Sequence, residues 1–135
     1  MPLYLVQHGQ SLPKDVDPDQ GLSETGVAET EGIAGVARDY HVTVGQILHS
    51  VKTRARKTAA IFASALNPPG GVKEVAGLKP MDDVAAFAAA IGPDTNTMLV
   101  GHLPFMERMT AYLVTGSVDN PVFKFQNSGI VCLIS

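Results

Sequence analysis

The sequence predicts an α/β fold, a three-layer α/β/α domain on a mostly parallel sheet with antiparallel strand character at its C-terminal end. Two observations predict it. Short apolar runs of strand length alternate with segments whose apolar residues recur at helical spacing, an order that calls for right-handed crossovers and helices on both sheet faces. And 135 residues with 45% hydrophobic and 17% charged content supply one core, so the expected organisation is a single domain over residues 1–135.

Residues 3–6, Leu-Tyr-Leu-Val, form a continuous apolar run that ends at a polar trio, as a strand buried on both faces does. After a loop rich in Asp, Pro and Gln, Ser23 is placed to cap a helix reaching Tyr40, with Val27, Thr30, Ile33, Ala34, Ala37 and Tyr40 as its inner stripe. Residues 46–49 read as a second strand. A helix over 53–66 follows, with Ala55, Thr58, Ala59, Phe62 and Leu66 inward, stopped by Asn67-Pro68-Pro69-Gly70-Gly71. Residues 72–75 suit a short edge strand. A helix over 82–91 points Val84, Phe87, Ala88 and Ile91 inward and is closed by Gly92-Pro93. Residues 97–101 are another buried strand, and Pro104 opens a helix running to Thr115. The chain then reads as two strands, 122–126 and 129–134, joined through Asn127-Ser128.

Composition removes several function classes. A net charge of −3 leaves no basic excess for a nucleic-acid backbone. No stretch approaches the roughly 18 apolar residues of a membrane span, and the N-terminal apolar run is too short for a signal core. The one cysteine, Cys132, has no internal disulfide partner, and its apolar run predicts a small core residue. The expectation is a soluble, cytoplasmic protein, and no Asp, Glu, His or Cys spacing suggests a metal.

In a sheet of this kind, sites form beyond the carboxyl ends of the strands. Three polar clusters fall there: Gln7-His8-Gly9, His49-Ser50 leading to Arg54, and Gly101-His102. Gly9 and Gly101 suggest close backbone approach to a ligand. Lys52, Arg54, Arg56 and Lys57 place four of the ten cations within six residues at a helix N-terminus, where free N–H groups favour an anion. His41 reads as an exposed residue beyond a helix, and His49 as structural or bordering the pocket.

Together these residues resemble the histidine phosphatase (phosphoglycerate mutase-like) superfamily. Gln7-His8-Gly9 is similar to its Arg-His-Gly signature, Ser50 to Ala59 to its Ser-Pro-x-x-Arg-Ala-x-x-Thr-Ala segment, and Gly101-His102 to its second histidine. Asp17-Pro18, Leu22 to Gly26, Leu78-Lys79-Pro80, His102-Leu103-Pro104 and Asn127-Ser128-Gly129 resemble the SixA-type phosphohistidine phosphatases. The resemblance implies a phosphoglycerate mutase-like fold and a cofactor-free pocket for phosphate or another oxyanion. It implies His8 as nucleophile, Arg54 as a two-pronged phosphate grip, and His102, protonated beside the phosphate, as stabiliser of the transferring oxygens. Gln7, Gly9, Ser11 and Ser128 would complete the phosphate contacts, with Gln10 a further donor.

The chain departs from the family pattern in three places. Gln7 stands where the family carries Arg, Gln20 where the SixA-type loop carries another, and no general acid is evident. Glutamine forfeits a charge-assisted hydrogen bond, worth about 1.5–3 kcal/mol against roughly 1 for a neutral one. Lys52 and Arg56 are candidates to compensate, or simply solvated. Mutase-like relatives place an acidic residue near Gly77, with Glu74 the nearest carboxylate, and acid phosphatases place one where Leu103 stands. An imidazole leaving group needs such an acid less than an alkoxide does, which favours P–N substrates. The first expectation is therefore a phosphatase of phosphohistidine on a protein, such as a histidine phosphotransfer domain. The alternatives are a broad phosphomonoesterase and a catalytically impaired phosphate- or phosphoprotein-binding module.

Overall fold

A computed structural model describes residues 2–91 and 96–134. Five strands and four helices alternate: β1 (Pro2–Gln7), α1 (Glu24–Asp39), β2 (Gln46–His49), α2 (Thr53–Leu66), β3 (Val72–Glu74), α3 (Val84–Ile91), β4 (Thr97–Gly101), α4 (Phe105–Thr115) and β5 (Ile130–Ile134). The strand order is β3-β2-β4-β1-β5. Pairing is parallel except between β1 and β5, where Pro2 opposes Ile134 and Val6 opposes Ile130.

Alternation along the strands divides two cores between the faces of the sheet. Val6, Ile47, Met98 and Val100 pack with Ala34, Ala55, Ala59 and Phe62 of α1 and α2. Leu5, Leu48 and Leu99 pack with Val84, Phe87, Phe105, Met106 and Met109 of α3 and α4. The predicted three layers follow from this division. No helix among the described residues is long and apolar enough to cross a membrane.

Ser23 caps α1 by accepting from Gly26 N at 3.0 Å. The buried stripe of that helix is Gly26, Thr30, Ala34 and Ala37. Val27 and Tyr40, expected inward, are 37% and 80% exposed. The helix is rotated so that Gly26, without a side chain, lies against the backbone of Gln10. α3 starts two residues later than expected, because the Asp83 carboxylate accepts from Ala86 N and supplies the cap. Its expected Gly92-Pro93 stop lies outside the described residues.

Two further expectations fail at the C-terminal end. Residues 122–126 form no strand: β4 and β5 occupy both sides of β1, and only Phe125 of this segment is buried. Pro121 at its start offers no N–H to a ladder. Cys132 is exposed, not core. On this edge strand Val131 and Leu133 pack against one core and Ile130 against the other, while Cys132, two residues beyond Ile130, is left uncovered.

Candidate active site

β1 and β4 are neighbours, with Gln7 opposite Gly101, so His8 and His102 leave the sheet side by side. Their ring centroids are 5.1 Å apart. β2 pairs with the other side of β4, which brings Ser50 and the start of α2 to the same edge. The three clusters expected from sequence thus meet beyond the carboxyl ends of β1, β2 and β4.

Each histidine is held by a short contact. His8 Nδ1 lies 2.7 Å from the carbonyl oxygen of Gly9. A carbonyl only accepts, so Nδ1 carries the proton and Nε2 keeps its lone pair. Burial lowers the His8 pKa, the Gly9 carbonyl partly offsets this, and the Arg54 charge lowers it further. His102 is almost wholly buried, with Nε2 2.5 Å from Ser50 Oγ and Nδ1 without a partner among the described residues. Burial, then His8, Arg54 and Lys52, pushes its pKa down to about 3. The protein's own groups therefore keep His102 neutral, and the expected charge on it requires an anion alongside.

Arg54 is half-buried in the first turn of α2, and burial lowers its pKa. The one ion pair among the described residues is the exposed Arg38–Asp39 contact at 3.3 Å, so no carboxylate neutralises Arg54. A partly desolvated guanidinium beside two neutral imidazoles is arranged for an oxyanion. Lys52, the N-cap residue of α2, makes no side-chain cap bond, and its charge reaches His102. Arg56 is exposed. Among the described residues no cluster of His, Cys, Asp or Glu is arranged to hold a metal ion.

The other expected contacts divide. Gln7 donates from Nε2 to Asn127 Oδ1 at 2.8 Å, while its Oε1 is buried without a partner. Ser128 Oγ contacts Thr30 Oγ1, which itself donates to Gly26 O. Thr30 has spent its proton, so the Ser128 hydroxyl donates to Thr30 and is committed away from a phosphate. Gln10 is turned toward α1, its Oε1 accepting from Ser23 Oγ at 2.8 Å. Ser11 forms an isolated bridge with Leu22. Gly9 and Gly101 are glycines for internal reasons: a Cβ on Gly9 would meet Thr30 Oγ1 at 2.7 Å, and one on Gly101 would meet Met106 Cε at 2.6 Å. His41 is exposed and His49 is buried, its Nδ1 2.8 Å from the Ser50 carbonyl. Glu74 is exposed on β3, and Gly77, near which the resemblance would place an acid, has φ +94°.

Ser50 was expected at the site as part of the His49-Ser50 cluster but was given no role, and Thr58 was expected only within the inward stripe of its helix and the Ser50 to Ala59 segment. A serine directly after a strand and before an uncapped helix was the available signal.

Comparison with known proteins agrees with this geometry. Residues 3–85 match the family described as the histidine phosphatase superfamily (branch 1). An uncharacterized Picosynechococcus protein is 30% identical over 144 residues, covering 100% of this chain and 86% of that protein. The protein histidine phosphatase SixA complexed with tungstate superposes with a TM-score of 0.85 at 25% identity, covering 98% of this chain and 86% of that one. A protein of Agrobacterium tumefaciens provisionally assigned as SixA gives 0.75 at 27% identity, covering 97% and 89%. The phosphoserine phosphatase of Entamoeba histolytica, at 15% identity and TM-score 0.71 over 98% and 90%, shares the fold.

Proposed function

The chain belongs to the histidine phosphatase superfamily, and on that premise we propose that it hydrolyses phosphohistidine on a cytoplasmic protein through a phosphorylated His8. The observation that carries this reading is the tautomer of His8. Its Nδ1 is held by the Gly9 carbonyl, which leaves the Nε2 lone pair free on a ring that lies beside His102 and within reach of the Arg54 charge. Nε2 attacks phosphorus in line, a new P–N bond forms, and the substrate's P–N bond breaks as its imidazole departs with a proton from solvent. Phosphorylated His8 retains its Nδ1 proton and is cationic, a good leaving group whose charge the Gly9 carbonyl stabilises. Water then releases phosphate.

Arg54 holds two phosphoryl oxygens with its planar fork. His102 presents Nδ1 to a third oxygen when the Ser50 hydroxyl donates to Nε2 and the ring proton sits on Nδ1. No carboxylic acid acts at the leaving group in this scheme, which suits imidazole better than an alkoxide. The SixA complexed with tungstate is similar over nearly the whole chain and supports the same substrate class.

The test is turnover of a phosphohistidine-bearing phosphotransfer domain and of an aryl phosphate by wild type and His8→Ala. Faster release from the phosphohistidine, abolished in His8→Ala, is the expected result. Faster turnover of the aryl phosphate would favour a broad phosphomonoesterase. The unpartnered Gln7 carbonyl, where relatives carry Arg, favours a second reading, a phosphate-binding module. Vanadate binding by folded protein without turnover of either substrate would establish that reading instead.

A further inference from the structure

We propose that Thr58 is a positioning residue that sets the orientation and tautomer of His8 through the backbone of Gly9; the inference rests on His8 being the nucleophile. Thr58 is fully buried on α2, one turn beyond Arg54. Gly9 N donates to its Oγ1 at 2.9 Å, and Oγ1 donates to Arg54 O at 2.7 Å. The directions are fixed, because an amide N–H only donates and a carbonyl only accepts. One hydroxyl therefore ties the turn that carries Arg54 to the residue whose carbonyl holds His8 Nδ1.

Gly9 needs such a tie. Glycine has the widest conformational freedom of any residue, so its carbonyl is the softest of supports for an imidazole. Thr30 and Ser128 crowd its Cα from the α1 side, and Thr58 holds its N–H from the α2 side. Without the Thr58 oxygen the buried Gly9 N–H loses its acceptor, which favours rotation of the peptide and release of His8 Nδ1. The ring then samples the tautomer with its proton on Nε2, which has no lone pair for phosphorus.

Thr58→Val replaces the hydroxyl by a methyl group of nearly equal volume, and Thr58→Ser restores the hydroxyl. Nitrogen-15 correlation spectra of the imidazole should show His8 with Nδ1 protonated in wild type and Thr58→Ser, and a tautomer mixture in Thr58→Val. Formation of the phosphorylated intermediate in a single turnover should fall about tenfold in Thr58→Val with KM little changed, the cost of one buried hydrogen bond. An unchanged tautomer in folded Thr58→Val overturns the proposal, whatever the rate. The spectra need no substrate, so failure of the proposed activity leaves this test intact. Should Thr58→Val fail to fold, wild type alone decides: a His8 with Nε2 protonated, or a Gly9 amide proton in fast solvent exchange, overturns it.

Discussion

The rings of His8 and His102 lie 5.1 Å apart, tilted by 53°, yet each is tied to a different partner, His8 to the Gly9 carbonyl and His102 to the Ser50 hydroxyl. Neither tie runs through the other ring. Either imidazole can therefore be replaced without removing the hydrogen bond that holds the other, although His8 also helps to lower the His102 pKa.

His8→Ala should lower turnover of a phosphohistidine protein at least about a thousandfold, because no second nucleophile stands at the same strand end. Its thermal midpoint should stay close to wild type, since the only side-chain hydrogen bond lost is to the adjacent carbonyl. Steady-state kinetics and a thermal melt check both halves. Retained turnover would remove His8 from the mechanism.

Gln7→Arg should raise turnover about tenfold, the gain of one charge-assisted hydrogen bond in the transition state. The change removes a buried acceptor that lacks a partner and gives up one contact to Asn127. Comparison of kcat for the two proteins on an aryl phosphate decides it. An equal or lower rate would mean that the pocket is built around glutamine.

Acid should weaken the fold through His102. Its pKa is about 3 in the folded protein against 6.5 ordinarily, so between those values the unfolded chain binds a proton that the folded chain refuses. Stability from this group is therefore level above pH 6.5 and declines as pH falls toward 3. His102→Asn should flatten that decline. Denaturant midpoints measured across this window for both proteins test it, and identical slopes would contradict a buried neutral His102.

Gly26→Ala should destabilise by about 1–3 kcal/mol, although alanine is the better helix former. The new Cβ would fall on the carbonyl oxygen of Gln10, two residues beyond the nucleophile. A lowered thermal midpoint together with reduced turnover is the expected pair of results. An intact midpoint would show that the loop after β1 yields freely.

Alternation of strand and helix was legible because each element carries its own period and its own stop. The meeting of His8, Arg54 and His102 was legible for a different reason, since all three follow strands that a parallel sheet aligns at one edge. The partners of the Thr30, Ser50, Thr58 and Ser128 hydroxyls were not, although Ser50 and Ser128 themselves were expected at the site. A threonine on an inward helix stripe fits an apolar face as well as a hydrogen-bond chain, and only the third dimension shows what it meets. Val27 and Tyr40 failed for a related reason, because the approach of Gln10 to Gly26 sets the rotation of α1, and no periodicity contains that contact.

β1 leads into the proposed nucleophile, yet its partners β4 and β5 are residues 97–101 and 130–134. The N–H of Ser128 also donates to the carbonyl of Gln7 at 2.9 Å, fastening the end of β1 to the turn that precedes β5. The ladders of β1 therefore rest on contacts of high sequence separation, whose loop-closure cost must be met before the pairing rewards it. The strand end that presents His8 is therefore assembled only once β4 and β5 have both paired with β1.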